Sequence, residues 1–118
     1  MSTPEKKKFL VTFSIPLARL TEWGKMDADT RAAAEKDMHD GWDKWSAAHA
    51  NMLLTTEVAG KTKNVTSGGV EDTRNDFVIC STVLGESHEA VAATFKDHPH
   101  LGIPTASIQV MELKAMGW

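Results

Sequence analysis

Five histidines, His39, His49, His88, His98 and His100, are the only side chains of this 118-residue chain that titrate near neutral pH without perturbation. The chemistry they could offer is proton transfer. His98 and His100 stand on either side of Pro99, which limits where the second ring can go. Two imidazoles held this way could converge on one ligand as general base and general acid; they could equally serve as a helix C-terminal cap and a packing contact. His49 follows Trp45 by one helical turn, so it either orients a substrate or makes a structural hydrogen bond. Trp42 and Trp45 either wall a pocket that excludes water or fill the core. His88 falls in the first turn of an expected helix, where the positive dipole end disfavours its charged form, and is expected to be exposed.

Other chemistries find little support. A closed metal site needs three or four convergent donors. His39 and His49 lie about 15 Å apart along a helix, as do His88 and His98 if that helix is regular. Only His98 and His100 could share an ion, with carboxylates from residues 16–29, and no metal or other cofactor is expected. No nucleophile elbow, phosphate loop or dinucleotide fingerprint occurs. Cys80 lies in the most apolar strand pattern and reads as a small buried hydrophobe rather than a reactive thiol.

The net charge of −3 and pI near 5.9 do not suit a nucleic-acid partner. The basic run Lys6-Lys7-Lys8 reads as part of a solvated tail over residues 1–7. The following FLVTFSIPLA is interrupted by Thr12, Ser14 and Pro16 and is too short for a membrane span. A cytoplasmic protein, without membrane or nucleic-acid partners, is the expectation.

The elements that must position these residues follow from periodicity. Residues 8–15 alternate as a strand that Pro16 ends. Residues 17–28 hold one or two helical turns, stopped at Gly24. Asp27 or Asp29 then caps a helix to about Ala50, with Ala34, Met38, Trp42, Trp45, His49 and Met52 along its apolar stripe. Gly41 inside it suggests a close approach by another backbone. A strand over 52–59 precedes a polar, threonine-rich stretch (61–66) that turns at Ser67-Gly68-Gly69. Residues 76–84 read as a central strand. Ser87 caps a helix from His88 to about Asp97, which His98-Pro99 must end. The last strand is Ser107–Leu113.

That order, β-α-β-β-α-β, predicts a single α+β domain with the ferredoxin-like arrangement: an antiparallel sheet with helices on one face. The other face carries Leu10 and one apolar row of strand 76–84. A face that apolar calls for a partner sheet, so a homodimer is predicted.

Across about residues 8–113 the chain resembles the YCII-related domain family, of the dimeric α+β barrel superfamily. The resemblance rests on the element order, on helix-Asn-strand at 45–58, and on KDHPHLGIPTASIQVMEL at 96–113, which is similar to the DGPF-type branch. It implies a homodimer with facing sheets and clefts beside the helices. The branch's Asp-Gly-Pro-Phe is replaced here by Ser67-Gly68-Gly69-Val70. The family's Asp-Pro after the second helix is His98-Pro99, and residues 29–35 contain no histidine, so the family's proton-transfer pair does not carry over.

Two functions follow from these readings. The first is a cofactor-independent enzyme on a small organic molecule, performing isomerisation, elimination or oxygenation. His98 or His100 would be its general base or acid, Trp42 and Trp45 its pocket walls, and His49 its substrate-orienting group. The second is a non-catalytic dimeric module binding a small ligand or a protein partner. It predicts a closed interior with histidines committed to backbone hydrogen bonds.

Overall fold

A computed structural model describes residues 6–117. The elements are β1 (Lys7–Ser14), α1 (Leu17–Gly24), α2 (Ala28–Ala48), β2 (Leu53–Val58), β3 (Thr62–Thr66), β4 (Gly69–Thr73), β5 (Phe77–Gly85), α3 (His88–Thr94) and β6 (Ser107–Leu113). Two 3-10 turns, Phe95–Asp97 and Pro99–Gly102, link α3 to β6. The protein is a mixed α+β chain whose main sheet has four strands in the order β2-β5-β1-β6, with every neighbour antiparallel. Among the described residues no helix is long and apolar enough to cross a membrane.

Alternation in β1 decides which way the sheet faces. Phe9, Val11 and Phe13 are fully buried, with Val83 beside them on β5 and Val91 and Phe95 from the α3 segment above. Burying these side chains contributes roughly 1.5–3 kcal/mol each, the main favourable term in so small a core. The intervening residues, Leu10 and Thr12 with their cross-strand partners Thr82, Cys80, Met111 and Gln109, share the opposite face, which no helix covers. Cys80 sits there half-exposed rather than buried, because continuous apolar sequence does not tell the two faces of a strand apart.

Helix α2 starts as the sequence predicts: Asp27 is the N-cap, its carboxylate accepting from the Thr30 backbone N–H at 3.2 Å. The stripe from Ala34 to His49 is half-buried along its length. The helix stops at Ala48, two residues before the predicted end, because His49 takes the C-cap with non-helical backbone. Gly41 does admit a neighbour. A Cβ there would lie 3.3 Å from Pro99 Cβ, so the absent side chain lets the second 3-10 turn seat against α2.

Three expectations need correction. The threonine-rich stretch 61–66 is a strand, β3, which pairs with β4 as a separate two-stranded sheet. The lysine run is not all tail: Lys7 and Lys8 are the first residues of β1, and Lys7 Nζ lies 3.9 Å from Glu112. Of the rest of the predicted tail, Lys6 is exposed and residues 1–5 lie outside the described residues. The predicted helix 88–97 tightens into a 3-10 turn at Phe95, which brings Phe95 and His98 both inward.

Gly85 ends β5 beneath α3, where an added Cβ would collide with Val91 Cγ2. Gly85→Ala is expected to destabilise the fold by about 1–3 kcal/mol through overpacking, read from urea denaturation midpoints. An unchanged midpoint would mean α3 sits further from the sheet.

Candidate functional site

The 98–104 segment positions the predicted site, and the packing of Phe13 explains its course. His98 packs its ring against four aromatic rings: Trp42 (centroids 4.3 Å), Trp45 (4.5 Å), Phe13 (5.0 Å) and Phe95 (6.0 Å). His100 meets the edge of Phe13 at 5.4 Å, and both histidines are only 2% exposed. Two polar rings so deep in an apolar core require hydrogen bonds. His98 Nδ1 accepts from the His100 backbone N–H at 3.0 Å, capping the Pro99–Gly102 turn. His100 Nε2 donates to the Ser14 carbonyl at 3.0 Å, tying the turn to the end of β1.

These bonds set the protonation states. Because Nδ1 of His98 accepts, the neutral ring carries its proton on Nε2, a buried nitrogen with no hydrogen-bond partner. The Trp42 ring crosses it at 80°, a geometry in which an N–H can face a π cloud. Desolvation by burial, with the nearby His100 and His49 rings, lowers the His98 pKa from 6.5 to about 4. Desolvation lowers that of His100 too, opposed by backbone hydrogen bonds at Ser14 and Ser107.

His49 belongs to the same assembly. Its ring stacks on Trp45 at 4.0 Å and its Nδ1–H donates to the Trp45 carbonyl at 2.7 Å. The antiparallel helices of a ferredoxin-like arrangement would put His49 and His98 at opposite ends of the domain; in the structure Trp45 bridges them instead. His88 is exposed, as predicted, yet its Nε2 bonds the Val110 carbonyl at 2.7 Å and its ring packs 5.6 Å from Phe9. The structure thus brings together Trp42, Trp45, His49, His98 and His100, but as a filled aromatic box rather than a pocket. Carboxylates from 16–29 do not join it, and no group of three or more His, Cys, Asp or Glu among the described residues could hold a metal ion.

Open space lies next door, between α1, α2 and the 102–104 loop. An apolar cavity of about 170 Å³ is bounded by Ile15, Leu20, Trp23, Met38 and Ile103, with Arg19, Glu35 and His39 at its border. It continues into a wider cleft of about 470 Å³ that shares Arg19, Trp23, Met38 and Ile103 and reaches Met26 and Pro104. Arg19 Nη1 bonds Glu22 at 2.8 Å, while its Nε is buried without a partner. Trp23 Nε1 donates to Glu35 at 3.0 Å, which fixes the indole as one wall. None of the five residues of the aromatic box lines this cleft. The sequence signal for it is the amphipathic turn Arg19-Leu20-Trp23 facing Ala34 and Met38, and the one histidine that borders it is His39.

The loop that forms the lip is a tight turn. Ala106 N–H bonds the Ile103 carbonyl at 3.1 Å across Pro104-Thr105, and Thr105 takes φ 65°, a left-handed conformation that glycine usually fills. No protein-family model and no curated protein matches this chain.

The buried histidines set a pH dependence. At neutral pH His98 is uncharged in folded and unfolded chains alike. Between pH 6.5 and about 4 the unfolded chain binds the proton and the folded chain does not, so stability falls as pH falls. His98 alone should remove roughly 2–3 kcal/mol between about pH 7 and about pH 4.5. Urea denaturation at the two pH values should show a shallower loss in His98→Phe; an identical loss would place the titration elsewhere.

Proposed function

We propose that this chain is a YCII-related, ferredoxin-like protein that works as a homodimer and binds a small organic molecule in the cleft between α1, α2 and the 102–104 loop, without catalysis by His98 or His100. The observation that carries this reading is the separation of the two features. His98 and His100 are packed and bonded to backbone, whereas the open space is walled by apolar side chains with Arg19, Glu22, Glu35 and His39 at its border. Such a concave, mostly apolar site with few polar groups suits a ligand of modest size. The strand order β2-β5-β1-β6 with β-α-β-β-α-β connectivity supports the ferredoxin-like assignment. The uncovered sheet face supports the dimer, because Leu10, Leu84, Met111 and Leu113 lie on it and the last two are 40% and 38% exposed.

One observation favours the second reading, an acid–base enzyme using His98 or His100 with Trp42, Trp45 and His49 around the substrate. His98 Nε2 is a buried donor without a partner, which native cores seldom leave idle. For catalysis Trp42 or Trp45 would have to move aside to admit substrate.

Two measurements test these proposals. Sedimentation equilibrium at micromolar concentration should give twice the 12.9 kDa chain mass; a 12.9 kDa species would sink the dimer. A fragment screen by thermal shift should yield ligands whose binding Met38→Trp, which fills the cleft, weakens at least tenfold, while His98→Phe, which loosens the lip but removes no lining residue, weakens it less than threefold. Ligands or turnover lost in His98→Phe but retained in Met38→Trp would transfer the site to the aromatic box.

A further inference from the structure

Among the described residues the β3–β4 hairpin stands apart from the main sheet. Its strands pair with each other and with no strand of the main sheet, and all their residues are exposed except the half-buried Thr62. Its side-chain bonds stay local: Lys63 to Asp72 at 2.6 Å, and Asn75 to Thr62 at 3.5 Å. A two-stranded hairpin alone in water is marginally stable at best. Yet Val65 and Val70 face each other across it at 72% and 63% exposure, and Val58 in the strand leading to it is 82% exposed. These exceed Met111 and Leu113 on the uncovered sheet face.

The dimensions of the chain point the same way. Its radius of gyration is 16.9 Å, against about 13.5 Å for a compact domain of this length. Its accessible surface is 8651 Å², against roughly 6,300 Å² for a compact monomer of this mass. The excess is about 2,350 Å² per chain, so two chains together carry about 4,700 Å², within the total that large obligate homodimers bury.

We infer that the β3–β4 hairpin is a dimerisation arm that packs on a second copy of this chain, with the Val65–Val70 pair at the centre of the contact. This rests on the dimer reading and adds to the sheet-face contact a second one that reaches beyond it. A second copy is the occupant because the arm has no net character that selects another partner. Lys61, Lys63 and Arg74 are interspersed with Glu71 and Asp72, which gives no field for nucleic acid or an anionic membrane. A two-fold axis also makes such a patch self-complementary. The crook between arm and body, a cavity of about 710 Å³ bounded by Leu20, Ala59, Arg74 and Phe77, leaves room for an inverted arm.

The test compares wild type, Val65→Lys/Val70→Lys and Met111→Lys by sedimentation equilibrium, with far-ultraviolet circular dichroism to follow the fold. The arm variant should raise the dimer dissociation constant at least tenfold while its spectrum stays that of wild type. A constant within twofold of wild type would overturn the arm. If Met111→Lys alone dissociates the dimer, the dimer stands and the arm falls; if wild type is a monomer, the dimer reading itself fails. Should the arm variant misfold, hydrogen exchange on wild type decides. Amides of 62–73 should gain protection as the protein is concentrated through its dimer range, and unprotected exchange at every concentration would refute the contact.

Discussion

His98, a neutral imidazole enclosed by Phe13, Trp42, Trp45 and Phe95, joins the three parts of the core. Phe13 comes from the central strand, the tryptophans from α2, and Phe95 from the tightened end of α3. The bond from the His100 backbone N–H to His98 Nδ1 then turns the chain, and His100 anchors that turn to Ser14. The lip of the cleft, Gly102–Pro104, begins where this anchored turn ends. The box is therefore the support of the cleft, and its cost is a polar ring held where only its uncharged form is tolerated.

The two arrangements of function divide on this point. A general base must meet its substrate proton within hydrogen-bond reach. Here the basic nitrogen of His98 is already used by backbone, and that of a neutral His100 is set by a ring whose Nε2–H is given to Ser14. In the proposed reading the two histidines act as a structural pair whose burial shapes the neighbouring surface. On that reading Arg19, Trp23, Met38 and Ile103 would form the recognition surface; Glu22 and Glu35 hold the arginine and the indole in place.

Much of this was legible in the sequence, for identifiable reasons. β1 declared its buried face through Phe9, Val11 and Phe13, and Asp27 and Ser87 marked their helices by capping chemistry that acts within three residues. Gly41 signalled a close neighbour without saying which. Residue type and spacing single out Trp42, Trp45, His49, His98 and His100 one by one, but neither their gathering around Trp45 nor the filled interior was foreseeable, since ring-to-ring distances depend on the path of 95–100 between α3 and β6. The length of α3 was misjudged for the same reason: helical periodicity continues through Phe95 while the backbone tightens. The threonines of β3 carry no strand signal because their partner strand is equally polar and both are almost wholly exposed, so neither shows the alternation that burial imposes.

The contact between Gly41 and Pro99 bears on how this sequence can change. One position is in mid-helix and the other in a turn 58 residues later, yet each defines the space the other has. A side chain gained at 41 would favour the helix by about 1 kcal/mol over glycine while pressing on the proline ring. Relaxing that pressure means losing the proline that fixes the step between the two histidines. Substitutions at these sites are consequently non-additive, and the more helix-favouring residue at 41 becomes accessible only on a background in which the turn has already found another way to hold its shape.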